Sequence, residues 1–192
     1  NGRSVEFWSA ADPAEGSCVL EDYPRDMRSG PNANLVSGQL VACHFYSCDI
    51  YEGGEWKHLL NGDADRIYAS NAVNDDRMLL IGGVVADPVT EWIPVDGSPA
   101  QPGPFNGNLH LHGDHCAIQT APDRIVVTGG RRGNPGDYTY DYVAEHQLTG
   151  DFTETPLTPM RQSRVGHACG VYQGVGGQQV RRVPIVNLTA LA

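Results

Sequence analysis

Two stretches, DRMLLIGG at residues 76–83 and DRIVVTGG at residues 123–130, constrain the fold more than any other part of the chain. Each begins at a polar turn, runs through a short apolar strand and reaches a Gly-Gly pair. The longer segments around them, 76–95 and 123–148, align with a third, GQLVACHFYSCDIYEGGEWKHLL at residues 38–60. In that segment Cys43-His44 takes the place of Gly-Gly. The segments recur about every forty to fifty residues, a period characteristic of repeat architectures. No window keeps apolar residues at helical spacing for three turns, and the 23 Gly and 13 Pro are spread along the chain, cutting it into short strands. The expectation is an all-β chain.

A second repeated feature is an arginine set seven residues ahead of an apolar position. Arg28, Arg66 and Arg164 precede Leu35, Val73 and Val171 by seven residues. The Gly-Gly position has a steric reason. Inner strands of neighbouring units crowd together, and the turn leaving the second strand needs backbone freedom that a Cβ would limit. A repeat of this length is one unit that cannot bury its apolar surface alone, and stacking such units buries them against each other.

These features resemble the kelch-type β-propellers. The family pattern of an R-x-G-H-like first strand, an apolar strand ending in Gly-Gly, and a Tyr and Trp about six residues apart reads here as Arg164-Val165-Gly166-His167, Leu79-Leu80-Ile81-Gly82-Gly83, Val126-Val127-Thr128-Gly129-Gly130, and Tyr51 with Trp56. The resemblance runs from Ser4 to about Val180. It implies a single propeller domain over residues 1–192. About four blades are visible. The N-terminal strands RSVEFWSA (3–10) and CVLEDYP (18–24) would complete one blade with the C-terminal strands HACGVYQ (167–173) and VRRVPIVNL (180–188). Kelch rings usually have more blades, so the chain is read as a small ring, a fragment, or part of a ring that another chain completes. The last repeat departs from the pattern: Arg181-Arg182-Val183-Pro184 stand where apolar residues and Gly-Gly are expected. In the family, the R-x-G-H histidine implies a structural role, and His115 falls at about the place of His167.

Charge narrows the partners. Net charge is −10, Lys57 is the sole lysine, and the close arginine pairs are Arg131-Arg132 and Arg181-Arg182. Counterion release from nucleic acid has little to act on, so no nucleic-acid partner is expected. No apolar run approaches the ~20 residues of a membrane span. The chain begins at Asn1 without a signal-like segment, which fits a processed chain. Five cysteines and the sequon Asn187-Leu188-Thr189 lean it towards a secreted, glycosylated protein. Cys43 and Cys48 flank a strand break and are expected to close it as a disulfide, with Cys18 a competitor for either. Cys116 and Cys169 are expected as buried thiols.

NLHLHGDHCAIQ (108–119) holds His110, His112, Asp114 and His115 in H-x-H-x-D-H order, which resembles the metal signature of the metallo-β-lactamase-like hydrolases. A zinc hydrolase would need further ligands and a position left open for water. His146 and His167 are the histidines that follow, and no helices for an αβ sandwich are foreseen. The leading reading is therefore an ordinary strand, with no cofactor and a bound metal ion as the alternative. NGDADR (61–66) and NDDR (74–77) read as turns, since neither has the calcium-loop spacing.

The expected function is a non-enzymatic binding or scaffolding module. A protein, glycan or small-molecule ligand would contact rim loops or the central channel. The rim residues are His44, Phe45 and Tyr46, then Asp87 in the loop 84–88, then Arg131, Arg132 and Asn134 in the loop 131–135. A metal-dependent hydrolase using the histidine stretch is one alternative. A self-assembling extracellular component is another, and homo- or hetero-oligomers are compatible with either.

Overall fold

A computed structural model describes residues 6–8, 17–19, 32–63, 66, 69–83, 90–105, 113–131 and 139–165. It contains strands and turns in these residues. A two-stranded antiparallel pair joins β1 (Glu6–Trp8) to β2 (Ser17–Val19). Three four-stranded antiparallel meanders follow. The first sheet is β3 (Asn32–Val36), β4 (Gln39–His44), β5 (Ser47–Glu52) and β6 (Glu55–Asn61). The second is β7 (Ser70–Asn74), β8 (Arg77–Ile81), β9 (Thr90–Pro94) and β10 (Gln101–Pro102). The third is β11 (Gly113–Ala121), β12 (Arg124–Arg131), β13 (Val143–Gln147) and β14 (Glu154–Pro156). The first strand β3 adjoins β7, and β7 adjoins β11, so each sheet stacks on the next in a β-propeller-like arrangement.

Two apolar seams hold the stack. Between the first and second sheets, Val36, Val41, Cys43, Cys48, Ile50 and Leu60 meet Met78, Leu80 and Ile93. Between the second and third, Leu79, Ile81, Trp92 and Phe105 meet Ile125, Val127 and Leu148. The middle sheet is therefore covered on both faces. This explains why β8 reads as an unbroken apolar run: Met78 and Leu80 face one neighbour, Leu79 and Ile81 the other, and all four are buried. Each such side chain contributes roughly 1.5–3 kcal/mol relative to exposure.

Polar side chains stitch the inner strands, which do not share a ladder. The Gln119 amide accepts from Val73 N at 3.3 Å and donates to Val73 O at 2.7 Å, in the manner of a neighbouring strand. Asn34 Nδ2 donates to Asn71 Oδ1 at 2.8 Å, and Ser70 Oγ donates to His115 O at 2.9 Å. The Tyr51–Trp56 signature is a directly opposed pair across β5 and β6, with ring centroids 5.2 Å apart.

The register moves one sequence assignment by a residue. Gln39, Arg77 and Arg124 open the second strands, and five residues later stand His44, Gly82 and Gly129. His44-Phe45, not Cys43-His44, is thus the counterpart of the Gly-Gly pairs. Cys43 lines the first seam, as Ile81 at the equivalent position of β8 lines the second. In the third sheet the Gly-Gly pair does not break the strand, because β12 runs on through it to Arg131.

Candidate binding rim

The second strands of the three sheets leave at one end of the stack. Arg66 joins two of these exits: its backbone N–H donates to Phe45 O at 3.1 Å and its guanidinium Nη1 to Gly82 O at 2.9 Å. The Arg66 side chain is fully buried and also donates to Glu91 Oε2, through Nε at 3.2 Å and Nη2 at 3.1 Å. The buried Glu91 carboxylate accepts a further bond from Asp63 N–H. Burial pushes the Arg66 pKa down, and the Glu91 carboxylate opposes that push. The seven-residue arginine spacing was visible in sequence; its carboxylate partner, 25 residues on, was not.

At the first exit, β4 turns into β5 through Phe45 and Tyr46 alone. Cys43 and Cys48, directly opposed in the ladder with Cα atoms 4.0 Å apart, form the expected disulfide below the turn. The Tyr46 carbonyl accepts from Gly62 N–H at 2.6 Å. His44 is buried and edge-on to Phe45 at 4.2 Å. Phe45 adopts φ 54°, and Tyr46 stands 59% exposed. An aromatic side chain is thus presented to solvent on a turn fixed by one covalent bond and two backbone hydrogen bonds. This suits recognition, because little conformational freedom is lost when it is covered.

At the third exit, Arg131 forms an ion pair with Asp114, and both are largely buried. Arg131 is therefore a braced residue of the strand end. Asp114 has φ 54°, a left-handed conformation that aspartate tolerates. His115 is buried, with Gly130 packed against it. A metal-binding Asp114 would have to release Arg131. His110, His112, Asp87, Arg132, Asn134 and Asn187 lie outside the described residues, as does His167. Among the described residues, no three His, Cys, Asp or Glu side chains gather as a metal-holding set. Cys116 is disulfide-bonded, which corrects the expectation of a buried thiol there; its partner lies outside the residues whose side chains are described.

Two polar groupings were not foreseen. Ser47, Asp49 and His58 are the residue types of a hydrolytic triad, but Ser47 Oγ and Asp49 Oδ1 both lie 3.4 Å from the same ring nitrogen, His58 Nδ1. A relay needs the hydroxyl and the carboxylate on different nitrogens. The second grouping is Tyr142, His146 and Glu154. The Tyr142 hydroxyl lies 3.0 Å from His146 Nε2 and donates to Glu154 Oε1 at 3.0 Å. At the opposite end of the stack, Val73, Asn74, Asp75, Gln119, Thr120, Ala121 and Pro122 line an open groove of about 450 Å³. No helix among the described residues is long and apolar enough to cross a membrane.

No protein-family model and no curated protein matches the sequence. Solved structures do resemble it. The structure of YjhT aligns with a TM-score of 0.68 at 13% identity, covering 81% of this chain. The chain spans 59% of the length of that structure. The likeness establishes the fold that the sheets describe: all-β and β-propeller-like, built from four-stranded antiparallel units.

Proposed function

We propose that the chain is a non-enzymatic binding or scaffolding module, secreted, and built as a kelch-type β-propeller of about four blades whose terminal strands complete one blade. The observation that carries the binding role is the exposed Tyr46 on its disulfide-braced turn. Such a fixed aromatic offers contact area to a protein or glycan at low entropic cost. The disulfide supports an oxidising compartment. Placing recognition on the rim rests on analogy with other folds that carry function at strand exits.

The test is binding of the full chain to a printed glycan array and to an array of immobilised extracellular proteins. A ligand retained by wild type and lost by Tyr46→Ala supports the rim. Binding that survives Tyr46→Ala and is lost on Thr120→Arg, in the groove at the opposite end, overturns it. Elemental mass spectrometry of protein purified without added metal tests the hydrolase alternative. About one zinc per chain, lost in His112→Ala, would replace the binding module with a metal site.

A further inference from the structure

We propose that His146 is an acid-sensitive latch on the seam between the second and third sheets: when its ring gains a proton, the seam at Phe105 loosens and β13–β14 open locally.

The geometry leaves one place for that proton. His146 is fully buried on β13, directly opposite Ile125 of β12 and Glu154 of β14. Phe105, from the second sheet's final turn, lies edge-on to the imidazole at 4.8 Å. The Tyr142 hydroxyl has one hydrogen and gives it to the Glu154 carboxylate. His146 must then supply the hydrogen of the other contact, from Nε2 to the Tyr142 oxygen. The neutral ring keeps its bare lone pair on Nδ1, which is buried without a hydrogen-bond partner. A second proton has to sit on Nδ1, where no acceptor meets it. Among the described residues, the groups facing the ring are the Tyr142 hydroxyl, the Glu154 carboxylate and apolar surface from Phe105 and Ile125.

Burial holds the pKa of His146 below the ordinary imidazole value, with the Glu154 carboxylate pulling the other way. A group with a depressed folded pKa takes up its proton in the opened state first. The latch therefore holds above the unfolded value of about 6.5 and weakens as pH falls below it. The segment it guards is short. β14 is three exposed residues, and the chain beyond it is tied back by backbone bonds such as Leu157 N–H to Val143 O.

Amide hydrogen exchange by mass spectrometry, corrected for intrinsic rates, reads the opening directly in the full chain. Going from about pH 7.5 to about pH 5, peptides over residues 143–157 should open about tenfold more often, while those over β4 and β5 stay unchanged. His146→Gln, which cannot titrate yet retains an amide donor for Tyr142, should abolish the difference. Equal protection at both pH values, or a pH dependence that persists in His146→Gln, overturns the proposal. Should that variant not fold, imidazole NMR titration of wild type decides. His146 titrating near 6.5 within an unopened fold overturns the latch; a ring that stays neutral until residues 143–157 open supports it.

Discussion

β4 ends at His44 and turns through Phe45, whereas at the same two positions β8 leaves its sheet through Gly82-Gly83 and β12 runs on through Gly129-Gly130 to Arg131. The backbone explains the difference in residue type. Phe45 sits at φ 54°, within the left-handed well that a side chain can occupy at modest cost. Gly83 and Gly130 sit at φ 130° and 100°, outside that well, where glycine alone is comfortable. The first sheet then returns at once as β5, while the second returns at Thr90 and the third at Thr139, which bridges Arg131 ahead of β13. Glycine at this position thus goes with a longer connection between the second and third strands, measured in residues. Where the connection shrinks to a tight turn, His44-Phe45 stand in place of the glycines and the Cys43–Cys48 disulfide braces the turn from below.

Arg66 spans both kinds of exit, so its loss is expected to do the most damage. Arg66→Ala leaves the Glu91 carboxylate buried without its cation, and urea denaturation should show about 3–5 kcal/mol of lost stability. A loss below about 1 kcal/mol would mean that water reaches Glu91. Gly130→Ala comes next. Its Cβ would lie 2.9 Å from His115 Cβ and 3.2 Å from Gly113 O, at φ 100°. The expected cost is about 2–3 kcal/mol. Gly54→Ala, at φ 90° with nothing within 4 Å, is the control and should cost about 1 kcal/mol. Equal costs at the two sites would put the whole penalty in φ and none in crowding. Removing the Cys43–Cys48 bond as a double alanine variant should lower stability by about 2 kcal/mol, since the loop it closes is short. Smallest is Tyr46→Ala, within about 0.5 kcal/mol by thermal denaturation, because the ring is exposed. That neutrality is what makes it a clean probe of binding.

Much of the architecture could be read from residue patterns, because those patterns record local and nearest-sheet constraints. MLLI and IVVT mark the second strands by being apolar on both faces, and Ser37-Gly38, Asp75-Asp76 and Pro122-Asp123 mark the turns before them. Cys43 and Cys48 were paired correctly since a two-residue turn places them opposite each other. The one-residue misalignment at His44-Phe45 arose because Cys43 looked like the start of the break, while the ladder continues to His44. The site was less readable. The Arg66–Glu91 pair and the Tyr142–His146–Glu154 grouping depend on which strands lie side by side, and a polar residue in a strand carries no mark of its cross-strand partner. Nothing in Arg-Arg-Gly discloses that Asp114 sits across the ladder beside Arg131 and pairs with it.

The Gln119 amide, which takes both hydrogen bonds of Val73, also has a mechanical meaning. Within a sheet, tension applied across the strands is shared by a row of backbone bonds. Between β7 and β11 it falls on a handful of single side chains, Gln119 and Ser70 among them. A force that pulls the sheets apart would therefore find its weakest line there. The chain should yield in steps, each a whole sheet long, and not strand by strand.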